Sequence, residues 1–136
     1  VDLSVTLVDG SFHPVDSSDM AFRAAGRLAI SEALHEAAPV LLEPVMAVDI
    51  LLPGDATSKV TTIVAQRRGQ ILGFDGRPGW PGWDTLRVRI PNAELIVELR
   101  SATAGVGTFT ARFDHLAELS GKLAEQVIAL HRKEAA

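Results

Sequence analysis

Between residues 42 and 116 two hydrophobic periodicities alternate in the order strand, helix, strand, strand, helix, strand, and that order restricts the architectures open to this chain more than any other feature. Residues 45–52 put Met46, Val48, Ile50 and Leu52 on one face at every second position and Asp49 on the other, and Pro53-Gly54 ends the run. Residues 55–68 align Ala56, Val60, Ile63 and Val64 at helical spacing against the low intrinsic propensity of Thr57, Thr61 and Thr62, with Gly69 as the expected helix stop. Residues 70–75 and 84–90 read as the strands of one hairpin, the second turning Leu86, Val88 and Ile90 inward and Arg87 and Arg89 outward. Pro91-Asn92 opens a short helix carrying Leu95, Ile96 and Leu99, which Gly105 and Gly107 close before a strand with Phe109, Ala111 and Phe113 inward. This βαββαβ order predicts an α+β, ferredoxin-like sandwich that closes its own aliphatic core.

The flanks are different in kind. Residues 3–8 alternate apolar and polar side chains up to the turn pair Asp9-Gly10, which predicts one strand. Asp16-Ser17-Ser18-Asp19 then offers N-cap side chains to a helix whose Phe22, Gly26, Ala29, Ile30, Ala33 and Leu34 recur at steps of three and four until Pro39. A single strand has two open edges, so this one is expected to pair with a second copy of the chain or to stay exposed. After Asp114 a last helix is expected to line up Leu116, Leu119, Leu123, Val127 and Leu130. Its terminal His131-Arg132-Lys133 suits the negative end of a helix dipole without needing a ligand.

Composition narrows the chemistry. With 47% hydrophobic against 22% charged residues in 136, the chain is globular and aliphatic-cored. No window reaches membrane-spanning length, and the first residues carry no basic stretch followed by an apolar run, which favours the cytoplasm. The absence of cysteine excludes a disulfide framework, a thiol nucleophile and cysteine-based metal sites. A formal charge of −4 argues against coating of nucleic acid, so any RNA contact has to be local. His13, His35, His115 and His131 have no paired metal spacing, no serine sits in a nucleophile elbow, and Glu32 and Glu36 lie on a solvated helix face. No catalytic residue, metal site or cofactor site is therefore expected.

Local features remain. Arg67 and Arg68 precede Gly69 at a helix C-terminus, where the dipole alone favours cations, yet a planar guanidinium also pairs with phosphate; Arg87, Arg89 and Arg112 would extend a basic surface over the open sheet face. Glycines at 73, 76, 79 and 82 mark a kinked hairpin tip whose Trp80 and Trp83 either contact a partner or fold back over the sheet. Gly105-Val106-Gly107 lacks the further glycine of a dinucleotide fingerprint. An enzyme or small-molecule sensor on the same scaffold would need a concave polar pocket with converging titratable groups.

Several runs in this sequence resemble the elongation factor G family. They are Val5-Thr6-Leu7, Asp9-Gly10-Ser11-Phe12-His13, Val15-Asp16-Ser17-Ser18 and Met20-Ala21-Phe22; then Pro39-Val40-Leu41-Leu42-Glu43-Pro44-Val45-Met46; then Arg67-Arg68-Gly69-Gln70-Ile71-Leu72-Gly73; then Leu99-Arg100-Ser101 with Thr103, Gly105 and Gly107; and finally Phe113-Asp114-His115. They occur in the family's order over nearly the whole chain. The resemblance implies that residues 1–40 are the last strand and helix of the family's fourth domain, 41–116 its ferredoxin-like fifth domain, and 117–136 a helix packing back on the fourth-domain part. It further implies a ribosome-binding region of a translational GTPase that assists tRNA and mRNA translocation by contacting ribosomal RNA and protein. His13 would stand at the fourth-domain tip, and Gly10, Ser11, Phe12, His13, Arg67, Arg68 and Arg100 are the implied RNA-contacting residues. GTP and magnesium would belong to a GTPase domain of the parent protein that lies outside this chain.

The departures are informative too. Acidic and aromatic residues usual in the family at the start of the fifth domain's first helix are replaced by Ala56, Thr57, Ser58 and Lys59. The hairpin carrying Trp80 and Trp83 is longer than usual, Gly105-Val106-Gly107 lacks the usual arginine, and Pro14 replaces a charged residue. These point to a diverged paralogue, leaving translocation, ribosome recycling and ribosome protection open.

Overall fold

The alternating run Met46, Val48, Ile50, Leu52 becomes an inner strand in the computed structural model, which describes residues 1–91 and 95–134. In chain order the elements are α1 (Asp19–Glu36), β1 (Leu41–Pro53), a 3-10 turn (Gly54–Ala56), α2 (Thr57–Gln66), β2 (Gln70–Gly76), β3 (Trp83–Pro91), α3 (Leu95–Ala102), β4 (Thr108–Leu119) and α4 (Gly121–Glu134). The four strands form one antiparallel sheet in the spatial order β2-β3-β1-β4, the ferredoxin-like arrangement. Two compact units result, Val1–Pro39 and Val40–Ala136.

In the second unit the period of two decides what is buried. Ile50 lies opposite Leu86 on one side and Phe109 on the other, and Val48 opposite Val88 and Ala111, so one face of the sheet is apolar across three strands. Val60 and Val64 of α2 and Leu99 of α3 cover that face, closing a core with Ile50, Leu52, Leu86, Val88 and Ile90. The β-branched residues of α2 thus hold a helix by packing rather than by propensity.

The end of α2 corrects one expectation. Gly69 is not the residue that turns the helix: Arg68 adopts the left-handed conformation, at φ +60°. Its N–H donates to the Ala65 carbonyl at 3.1 Å, and the Gly69 N–H donates to the Val64 carbonyl at 2.7 Å, the paired bonds of a Schellman cap. Glycine is needed at 69 for close approach instead, since a Cβ there would lie 2.6 Å from Val64 Cγ1. The end of α3 repeats the pattern, with Ala104 left-handed and the Gly105 N–H donating to the Arg100 carbonyl at 2.7 Å.

Three more expectations need correction. Residues 3–8 form no strand within the chain and stay exposed, the second of the two outcomes expected of them; alternation alone cannot make a ladder, and this run has no neighbour to bond. The last helix begins at Gly121, not after Asp114, because β1 starts at Leu41 and offers β4 partners as far as Leu41 opposite Leu119. Leu116 and Leu119 are therefore strand residues despite their helical spacing. Ala111 and Phe113 share the core face but stay exposed, Phe113 at 59%. Next to them the ladder slips: Val45 faces His115 and Met46 faces Phe113, leaving Asp114 as the extra residue of a bulge. The helix-opening role of Asn92 lies outside the described residues, as do the side chains of Leu95 and Ile96.

Candidate functional site

In the first unit the turn before α1 is built by its own polar side chains. Ser18 caps the helix, its hydroxyl accepting from the Ala21 N–H at 3.1 Å. Ser17 Oγ accepts from the His13 N–H at 2.7 Å, and the Ser17 N–H returns a bond to the His13 carbonyl at 3.1 Å. His13 Nδ1 accepts from the N–H groups of Val15 and Asp16, each at 3.3 Å, and Asp16 Oδ2 lies 3.3 Å from the same nitrogen. Two backbone N–H groups and a carboxylate thus fix the ring of a side chain that is 64% exposed. Gly10, Ser11 and Phe12 precede it in an exposed loop, with Asp9 Oδ1 accepting from the Gly10 N–H at 2.7 Å. Ser11, His13, Asp16 and Ser17 line a shallow depression of about 180 Å³.

The arginines of the second unit are placed differently from a basic patch. Arg67 bonds Glu98 of α3, its Nε reaching Oε2 at 3.3 Å with a closer contact from Nη2 to Oε1. Arg68 makes a two-pronged bond to Glu43, 2.7 Å in each arm, and that bond holds its guanidinium pKa above the ordinary value. Both arginines therefore tie α2 to neighbouring elements. Arg100 lies in the last turn of α3, exposed.

On the open sheet face Arg87 meets Asp75 at 2.9 Å, Arg112 meets Asp49 at 3.2 Å and Arg89 meets Asp114 at 3.1 Å. This face is a charge-balanced lattice rather than a basic surface. The sequence reading missed the carboxylates, which lie up to 63 residues from their partners. Alternation on β1 and β3 carries a signal for Asp49 alone, which it puts on the face of Arg87.

Asp114 carries a pH-dependent link. His115 Nδ1 at 2.6 Å and then Arg89 hold its carboxyl below the ordinary carboxylate range. A folded-state pKa lower than the unfolded one contributes stability that is complete above the unfolded value and is lost as pH falls through the folded one. Asp114→Asn is thus expected to flatten the fall in stability below about pH 4, measured by urea unfolding between pH 3 and 6. Parallel curves for the two proteins would contradict the link.

Two depressions test for a chemical pocket. One of about 790 Å³ lies along α2 and α3, lined by Lys59, Thr62, Ile63, Val97, Glu98 and Ser101 among others, and its Glu98 is bonded to Arg67. Another of about 700 Å³ lies beside the hairpin, lined by Asp49, Asp75, Gly76, Pro78, Thr85 and Arg87, and its two carboxylates are paired with arginines. Both are open, and each carboxylate in their linings is paired with an arginine. Among the described residues no helix is long and apolar enough to cross a membrane, and no cluster of three or more metal-ligating side chains occurs.

Residues 40–127 match the family model for the elongation factor G C-terminus, and residues 1–38 match that for elongation factor G, domain IV. An elongation factor G-like protein of Synechocystis sp. is 49% identical over 127 residues, 91% of this chain and 19% of that protein. A crystal structure of a Thermus thermophilus protein superposes with a TM-score of 0.75 at 35% identity, covering 92% of this chain and 19% of the other. The chain thus spans about a fifth of the length of these relatives. Two adjoining family models in chain order, laid over a capped turn, a helix and a ferredoxin-like sheet, place this chain in the elongation factor G family.

Proposed function

We propose that the chain is the ribosome-contacting C-terminal region of an elongation factor G-like translational GTPase, working in the cytoplasm and aiding the movement of tRNA and mRNA. The observation that carries this reading is the adjoining match to domain IV and the C-terminus, in chain order, with nearly nothing left over. GTP and magnesium act in a separate domain of the parent protein, and this region contributes binding and positioning.

The loop of Gly10, Ser11, Phe12 and His13 is the working tip. Its backbone is fixed by Ser17 and its imidazole by two backbone N–H groups, so the ring meets phosphate or a base edge with little ordering left to do. Arg100 adds a local cation. Arg67 and Arg68 touch RNA only by exchanging Glu98 and Glu43 for phosphate, so their first duty is to hold the fold. The 49% identity to an elongation factor G-like protein supports a diverged paralogue.

His13→Ala in the parent protein is expected to leave sedimentation with ribosomes intact while slowing tRNA–mRNA movement by about 10- to 100-fold, the loss of one bond to a charged group. An unchanged rate would remove His13 from the tip.

A further inference from the structure

The proposed function gives the tip of the β2–β3 hairpin no task. The Arg77 N–H donates to the Trp83 carbonyl at 2.8 Å, the Trp80 N–H to the Arg77 carbonyl at 3.1 Å, and the Trp83 N–H to the Trp80 carbonyl at 3.1 Å. Gly79 and Gly82, both at φ +77°, allow these closures. A further bond from the Gly54 N–H to the Gly82 carbonyl, 2.9 Å, pins the tip to the end of β1. On this frame Trp83 is half-buried and Trp80 packs edge-to-face against it, with ring centroids 5.5 Å apart. Trp80 keeps 48% of its surface in solvent, and the Arg77 guanidinium sits 4.9 Å from its ring centroid.

Charge separates Arg77 from the sheet-face arginines. Arg87, Arg89 and Arg112 all meet carboxylates, whereas among the described residues no ion pair to Arg77 occurs and its partner is an aromatic ring. The flanking carboxylates are engaged elsewhere, Asp75 by Arg87 at 2.9 Å and Asp84 by the Thr57 hydroxyl at 2.8 Å. A half-exposed indole with a guanidinium over its ring, held by a hydrogen-bonded frame, complements a ligand that carries both a flat π-face and an anion. An apolar protein pocket would accept the indole but would desolvate Arg77 with no anion in return. A nucleotide supplies both partners.

We propose that this tip binds an unpaired RNA base, with Trp80 stacking on the base and Arg77 pairing with its phosphate. The chemistry stands on the tip itself; only its assignment to ribosomal RNA rests on the function proposed above. The test uses the parent protein, wild type and with W80A, W80F or R77A, in two assays. One is anisotropy of a labelled single-stranded oligoadenylate 12-mer, and the other is sedimentation with purified ribosomes combined with chemical modification of RNA bases. W80A is expected to weaken oligoadenylate binding by about 5- to 100-fold and to expose a base that the wild type protects, with W80F restoring most of both. R77A is expected to lower the slope of log affinity against log salt by about one. Thermal melting of W80A should fall only slightly below the wild type, because about half of the ring is in solvent and its contacts are confined to the tip.

Equal oligoadenylate affinity and equal base protection in W80A and wild type would overturn the proposal. So would weaker ribosome sedimentation of W80A with protection unchanged, which would assign the indole to a protein pocket. Tryptophan-dependent oligoadenylate binding by a wild type that fails to sediment with ribosomes would uphold the tip and remove the ribosomal assignment alone.

Discussion

Leu86→Ala is expected to destabilise the sheet unit by about 3–5 kcal/mol in urea unfolding, while Leu72→Ala, only one strand away, should cost less than about 1 kcal/mol. Leu86 is fully buried, lies opposite Ile50 in the register and sits within the cluster closed by α2 and α3. Truncating it removes buried methyl groups and leaves a cavity, because its neighbours Ile50, Val60 and Leu52 are themselves fully packed. Leu72 falls at the irregularity of the β2–β3 ladder and is 48% exposed, so its truncation removes little contact. A domain of this size has only about 5–15 kcal/mol in total, so Leu86→Ala should consume a large share of it. Equal losses at the two sites would mean that the core is not where the register puts it.

Gly69→Ala is expected to cost about 2–3 kcal/mol, through crowding rather than through lost contact. The new Cβ would stand 2.6 Å from Val64 Cγ1, 2.8 Å from the Val64 carbonyl oxygen and 3.2 Å from Ile90 Cδ1. None of these can retreat easily. The carbonyl accepts the Gly69 N–H at 2.7 Å as part of the helix cap, and the Val64 and Ile90 side chains are buried at 0% and 1% exposure. Gly76→Ala is the matched control, since a Cβ there meets nothing within 4 Å, and it should shift the melting midpoint only slightly. If Gly69→Ala melted with the wild type, the close approach of the cap to α2 would be wrong.

These two positions show which parts of the fold were legible in the sequence. The inner strands could be read because Ile50, Val88 and Ile90 obey a strict period of two, and one-sided burial makes register and pattern the same fact. The ends could not be read in that way. Whether residues 116–119 continue a strand or begin a helix depends on whether β1 extends to Leu41 to meet them, which is a long-range pairing that local spacing does not encode. Residues 3–8 alternate convincingly and still form no strand, since a ladder needs a second edge. Gly69 was visible as punctuation, but its task was not, because the left-handed turn passed to Arg68, which Glu43 holds in place.

The candidate contact residues divide along the same line. A capped turn around His13 follows from Ser17, Ser18 and their spacing, whereas the significance of that turn came from resemblance to a family. Arg67 and Arg68 looked like a basic pair because their carboxylates lie 31 and 25 residues away, beyond the reach of any local pattern. Arg77 drew no notice beside two tryptophans, although its three-residue spacing from Trp80 is what brings the cation over the ring in a tight turn.

We propose that this chain gives its parent protein a grip on the ribosome. The measurement that tests it most directly is sedimentation of the full-length parent with purified ribosomes, with a non-hydrolysable GTP analogue and with GDP. Binding that is strong with the analogue and weak with GDP is the predicted result. Failure to sediment in either state would contradict the claim.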